Sequence, residues 1–306
     1  MFAHDTAAFP AWEAHPEVWL LVASVLALGV YIDRVIAPKV PASLRGDGPA
    51  ITRRQRLWFL AGVLTLWLAS DWPLHDVAEQ YLYSIHMVQH LVLTLVMPPL
   101  FWLATPRWLA ELAIPEGSRL WGILRRAARP IAAAVIFNAL TIATHWTVVV
   151  NTSVEVGPVH YLVHLVVVTS AFLMWIPVAG PWPALRISPV AQCIYLFTMS
   201  IIPTVPGAWL TMAEHAVYRV YDHGPRLWGI TVVEDQQYAG LFMKVGGGAY
   251  LWALIITIFF RWALALERTE SRARIVTIED GLTYQALQAE FDRIDDSLAP
   301  PSSGRG

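Results

Sequence analysis

The chain has 306 residues, of which 56% are hydrophobic and 14% charged, and its mean hydropathy is +0.49. That balance excludes an ordinary water-soluble domain and puts the chain in a lipid bilayer. The formal net charge of −2 averages segments of opposite character and gives no sign of a nucleic-acid partner.

Seven apolar stretches approach the roughly 20 residues that a spanning helix needs. They lie near Val18–Ala37, Leu57–Trp72, Leu82–Ala104, Pro130–Val150, Val159–Ala179, Pro189–Leu210 and Gly240–Trp262. The predicted fold is therefore all-α: a polytopic membrane protein with seven transmembrane helices. It has an outer segment over residues 1–17, a membrane domain over 18–262 and a cytoplasmic helix and tail over 263–306. From Met1 to Glu17 there is no Lys or Arg, unlike a cleaved secretory leader, so the first apolar segment is expected to be retained.

Short loops rich in Lys and Arg stay in the cytoplasm. Lys39, Arg45, Arg53, Arg54 and Arg56 mark the first loop, Arg107, Arg119, Arg125, Arg126 and Arg129 the third, Arg186 the fifth, and Arg261, Arg268, Arg272 and Arg274 follow the last span. The N-terminal segment and the second and fourth loops have none. This predicts the N-terminus outside and the C-terminus inside. The sixth loop is also outside, its Arg219 and Arg226 offset by Glu214, Asp222, Glu234 and Asp235. Pro98 and Pro99 are expected to interrupt and kink the third span. Beyond Arg274, Leu282, Leu287, Phe291, Ile294 and Leu298 fit one face of a short soluble helix. Tryptophans such as Trp19, Trp146, Trp182 and Trp209 fall near predicted interfaces, where any membrane protein carries them.

With this topology none of the ten histidines is cytoplasmic. His4, His15, His75, His215 and His223 fall in outer segments, where solvation is the plainer reading and metal capture the sharper one. His86 and His90 form an i, i+4 pair at the outer end of the third span, and His160 and His164 another at the outer end of the fifth. His145 ends the fourth at similar depth; alone it could serve a helix–helix hydrogen bond or a metal. Two such pairs offer four imidazole nitrogens, which suit copper or zinc. Met97, 11 residues after His86, returns to nearly the same helix face, and its thioether favours Cu(I). Asn138, Thr141 and His145 make a polar stripe that could support the ligands. Cys193 is the only cysteine, which excludes a disulfide, a paired-thiol redox centre and a thiolate cage.

The string from Leu74 through His75, Asp76, Glu79, His86 and His90 to Pro98-Pro99 resembles the membrane-integral CtaG family of cytochrome c oxidase assembly factors. The resemblance continues through His145, the His160–His164 segment, Asp235-Gln236, Gly240 and Met243. It implies a non-enzymatic, multi-pass protein of the bacterial plasma (inner) membrane that helps mature the copper centre of a haem–copper oxidase, with an oxidase subunit as partner and copper as ligand. The family's histidine motif falls on His86 and His90, with His160 and His164 as the second cluster. The run Met243-Lys244-Val245-Gly246-Gly247-Gly248 departs from the tryptophan and proline that usually come after that methionine, and Lys244 either snorkels to the surface or sits by the site. A b-type haem electron carrier would need histidines at both membrane depths. A copper permease would need polar ligands continuing towards the cytoplasm, and few lie there.

Overall fold

The computed structural model describes residues 6–7, 9–202, 204–222 and 226–298. Its elements are helical apart from a two-residue parallel pairing of Thr6–Ala7 with Arg226–Leu227. Six segments are long and apolar enough to cross a membrane: Pro16–Lys39, Arg53–Gln80, Tyr83–Ala104, Gly157–Ala179, Pro189–Thr211 and Val232–Arg272. The pair Arg119–Ala127 and Pro130–Thr144, joined across a 75° bend, makes a seventh if taken as one span. This is the all-α, multi-pass architecture that the hydropathy predicts.

Local sequence explains where the helices begin. A capping box closes the first turn of Arg53–Ser70, Thr52 accepting from the Gln55 backbone and Gln55 from that of Thr52. Thr231 and Glu234 do the same for Val232–Leu241, so the last span begins before the expected Gly240. Ser188 caps Pro189–Ile201, with proline in the first turn where its missing N–H costs nothing.

Two boundaries differ from expectation. The fourth span was expected to run from Pro130 to Val150, but the helix ends at Thr144 and a separate one covers Thr147–Glu155. The Thr141 carbonyl accepts from both the Thr144 hydroxyl at 2.9 Å and His145 Nδ1 at 2.7 Å, and these local bonds compete with continued helix. In the third span the expected interruption is a π-helical turn over Val92–Val96, after which Pro98 and Pro99 occupy the first turn of Met97–Ala104. At the C-terminal end no separate short helix forms, because Gly247–Leu298 is one helix of 52 residues. Residues 249–298 contain no proline and a single glycine, Gly281, so nothing stops propagation.

The chain divides into two units, 1–255 and 256–306. Within the first, Tyr83–Ala104 and Gly157–Ala179 are the central helices: 44% of an 18-residue apolar stretch in each is buried, against 6% in Pro16–Lys39. Tyr83–Ala104 packs on Arg53–Ser70, on Gly157–Ala179 and on Val232–Leu241. Large apolar side chains such as Leu20, Ile131 and Leu165 are exposed on the spans, an outer face suited to lipid rather than water. Gly207 and Gly240 let two helices meet backbone to backbone, since a Cβ on Gly240 would collide with the Gly207 carbonyl and with Thr211.

Candidate metal centre

The proline pair sets the register of the central helix. Pro98 cannot donate to the Thr94 carbonyl, and the buried Trp175 indole donates to it instead, at 2.9 Å. The wide turn just before the prolines inserts an extra residue and rotates the remainder of the helix by about a quarter turn. Met97 is thereby carried off the histidine face into an apolar cluster with Ala69 and Leu93. The methionine that does stand beside a histidine is Met87, whose Sδ is 3.4 Å from His145 Nε2.

The start of that helix is fixed from far away in sequence. The buried Asp235 carboxylate accepts from the Tyr83 and Ser84 backbone N–H groups at 2.7 and 3.0 Å, capping the Tyr83–Leu91 helix at its positive end. Gln236 accepts from Val217 N–H at 2.8 Å and donates to the Tyr218 carbonyl, and the Tyr218 hydroxyl donates to the His145 carbonyl at 2.9 Å. Asp235 and Gln236 thus place the helix carrying His86 and His90 and the loop against His145.

Four imidazoles meet where Tyr83–Leu91 crosses Gly157–Ala179. Ring centroids are 4.5 Å apart for His86 and His90, 4.5 Å for His90 and His164, 4.4 Å for His160 and His164, and 5.5 Å for His86 and His164. Potential ligand atoms of His86, His90 and His164 lie within 4.8 Å of one another, as do those of Glu79, His160 and His164. Drawing either set onto one ion at about 2.0 Å requires movements on the order of 1 Å. Nε2 of His90 and of His164 are buried without a hydrogen-bond partner among the described residues. An unpaired buried nitrogen costs about 1–3 kcal/mol, and a cation would remove that cost at both.

Glu79 was not among the expected ligands. Its Oε1 is 3.0 Å from His86 Nδ1 and 3.2 Å from His160 Nε2. An ionised carboxylate only accepts, so both rings donate to it, leaving His86 Nε2 and His160 Nδ1 as lone pairs. Seven residues separate Glu79 from His86, two helical turns, but the break at Tyr81 and Leu82 hid that alignment.

His75 lies next to this group rather than in it. Its Nδ1 is 3.2 Å from Gln89 Nε2, which also donates to the Ala69 carbonyl, and its ring stands edge-on to His15 at 5.1 Å. His15 Nε2 in turn meets Asp76 Oδ1 at 2.8 Å. His145 is not within ligand distance of the four imidazoles but shares a cavity wall with His86, His90, His160 and His164. His215 is exposed in its loop; His4 and His223 lie outside the described residues. The Lys244 side chain is exposed and lines neither cavity beside the histidines, while its neighbour Met243 is buried.

A family model described as cytochrome c oxidase caa3 assembly factor matches residues 40–265, which include every histidine of this site. No curated protein and no solved structure matches the chain.

Proposed function

The chain belongs to the cytochrome c oxidase caa3 assembly factor family, and on that premise we propose that it holds copper at its four-imidazole cluster for delivery to an oxidase subunit in the same membrane. Copper is cargo here, and the role is non-enzymatic. His86, His90 and His164 form the primary ligand set, with His160 and Glu79 at its edge. The observation that carries the reading is the pair of buried, unpartnered Nε2 atoms on His90 and His164 inside a ring of imidazoles. Neutral imidazole is a good ligand for copper, and a carboxylate that receives a histidine N–H both orients the ring and raises its basicity. The histidines lie at the bundle end away from the arginine-rich loops, which supports an outward-facing site in the bacterial plasma membrane, N-terminus outside. The outer compartment is then the source of the ion.

The test is metal analysis and optical spectroscopy of the detergent-purified chain loaded with Cu(I), beside a variant with His86, His90, His160 and His164 all changed to Ala. The variant is expected to hold at least one copper fewer per chain, and neither protein should show a Soret band. An unchanged copper load in the variant would overturn the assignment. Haem absorbance in the wild type would replace it with an electron-carrier reading.

A further inference from the structure

Beside the imidazole cluster is a cavity of about 60 Å³ whose walls include Met87, His90, Thr141, His145, Met199 and Met243. With Met174, four of the chain's seven methionines line it.

The protonation of His145 follows from its partners. Its Nδ1 is 2.7 Å from the Thr141 carbonyl, which can only accept, so the ring proton is on Nδ1. In the neutral ring Nε2 is then a bare lone pair, and it points at the Met87 sulfur 3.4 Å away. A thioether has no proton to offer either, so the contact joins two acceptors. Thr141 Oγ1, on the same cavity wall, is likewise buried without a partner among the described residues. The other sulfurs are placed differently: Met199 Sδ accepts from Asn138 Nδ2 at 3.5 Å, and Met97 packs among apolar side chains. Met243 shares the buried cluster of Met87 and lines the same cavity.

We infer that His145 and Met87, with Met243 beside them, form a second metal site, selective for Cu(I), next to the four-imidazole site. With bond lengths of about 2.0 Å to nitrogen and about 2.3 Å to sulfur, a 3.4 Å separation between donors corresponds to a roughly tetrahedral angle at the ion. One nitrogen with thioethers is a soft set that favours Cu(I) over Zn(II), whereas the neighbouring imidazoles take either. Met87, His90 and His145 line both cavities, so the two sites share a wall. This inference rests on the copper-handling reading and gives it direction: imidazoles receive the ion, and the thioether site retains it in the reduced state.

The test compares three full-length proteins loaded anaerobically with Cu(I): the wild type, Met87→Leu with Met243→Leu, and the variant with all four cluster histidines changed to Ala. Met to Leu conserves volume, so the double variant is expected to fold. Copper per chain and X-ray absorption at the copper edge are measured for each. The expected result is sulfur in the wild-type copper shell, loss of one copper and of all sulfur scattering in the methionine variant, and one sulfur-ligated copper in the histidine variant. Unchanged stoichiometry and spectrum in the methionine variant, or a wild-type shell without sulfur, overturns the second site and leaves the imidazole site standing. A copper load unaffected by the histidine changes but abolished by the methionine changes overturns the imidazole site and upholds this one. A wild type that binds no Cu(I) overturns both.

Discussion

A carboxylate that receives two imidazole N–H groups fixes two tautomers at once, and Glu79 does this for His86 and His160. In Glu79→Gln the single amide oxygen can still accept from both rings, since both bonds reach Oε1, but without the carboxylate charge it orients the rings less firmly and no longer raises their basicity. The expected effect is a loss of about 10–100-fold in copper affinity with little change in thermal stability, read by competition against a chelator. His15 gives a pH-dependent case outside the spans. Burial disfavours its charge, but Asp76 at 2.8 Å and Glu17 at 3.3 Å outweigh burial and raise its pKa above the ordinary 6.5. A raised pKa means that the stabilisation is fully present below the unfolded value and is lost as pH rises through the folded one. The difference in melting temperature between wild type and His15→Gln is therefore expected to be larger near about pH 6 than near about pH 8.5; a difference that does not shrink would show the His15–Asp76 contact to be neutral.

At the scale of elements, the central helix shows how a neighbour compensates for what a proline pair removes. A proline pair should kink a helix because two carbonyls lose their donors. Here the Thr94 carbonyl recovers one from Trp175 on the adjacent span. No pattern within the third span announces a donor 81 residues away, so this compensation was illegible, and with it the register that takes Met97 from the site and leaves Met87 beside His145. The i, i+4 histidine pairs were legible because they need only helical periodicity, and both pairs converge. Glu79 and Asp235 escaped because they act across a break between helices and across 152 residues. Trp175→Phe removes the N–H, leaving a buried carbonyl unpaired at a cost of about 1–3 kcal/mol, to which the smaller ring adds the cost of a cavity at a fully buried position. The expected result is a lower melting temperature in detergent, together with weaker copper binding, because the helix carrying His86 and His90 loses its fixed register. Unchanged copper affinity would mean that the π turn holds without the indole.

For the whole molecule, the ends of the bundle carry different chemistry. His86 and His160 begin their spans, His145 follows the end of Pro130–Thr144, and Asp71 follows Arg53–Ser70, so these residues gather at one end. Lys39, Arg53, Arg107, Arg129 and Arg186 flank the opposite ends of the same helices. There Trp121 and Trp182 share a buried cluster with Ile176, which fastens the arginine-bearing helix Arg119–Ala127 to the far end of Gly157–Ala179. Because retained positive charge faces the cytoplasm, the histidine end is predicted to face outward. The exposed Glu214 and Glu116 sit in loops at the two ends and allow a direct measurement. With Cys193 changed to Ala, a membrane-impermeant maleimide applied to intact cells is expected to label Glu214→Cys but not Glu116→Cys, and to label both after lysis. The reverse pattern would turn the histidine cluster towards the cytoplasm. The ion would then have to come from cytoplasmic carriers, and an outward-facing copper centre of an oxidase could not be its direct recipient.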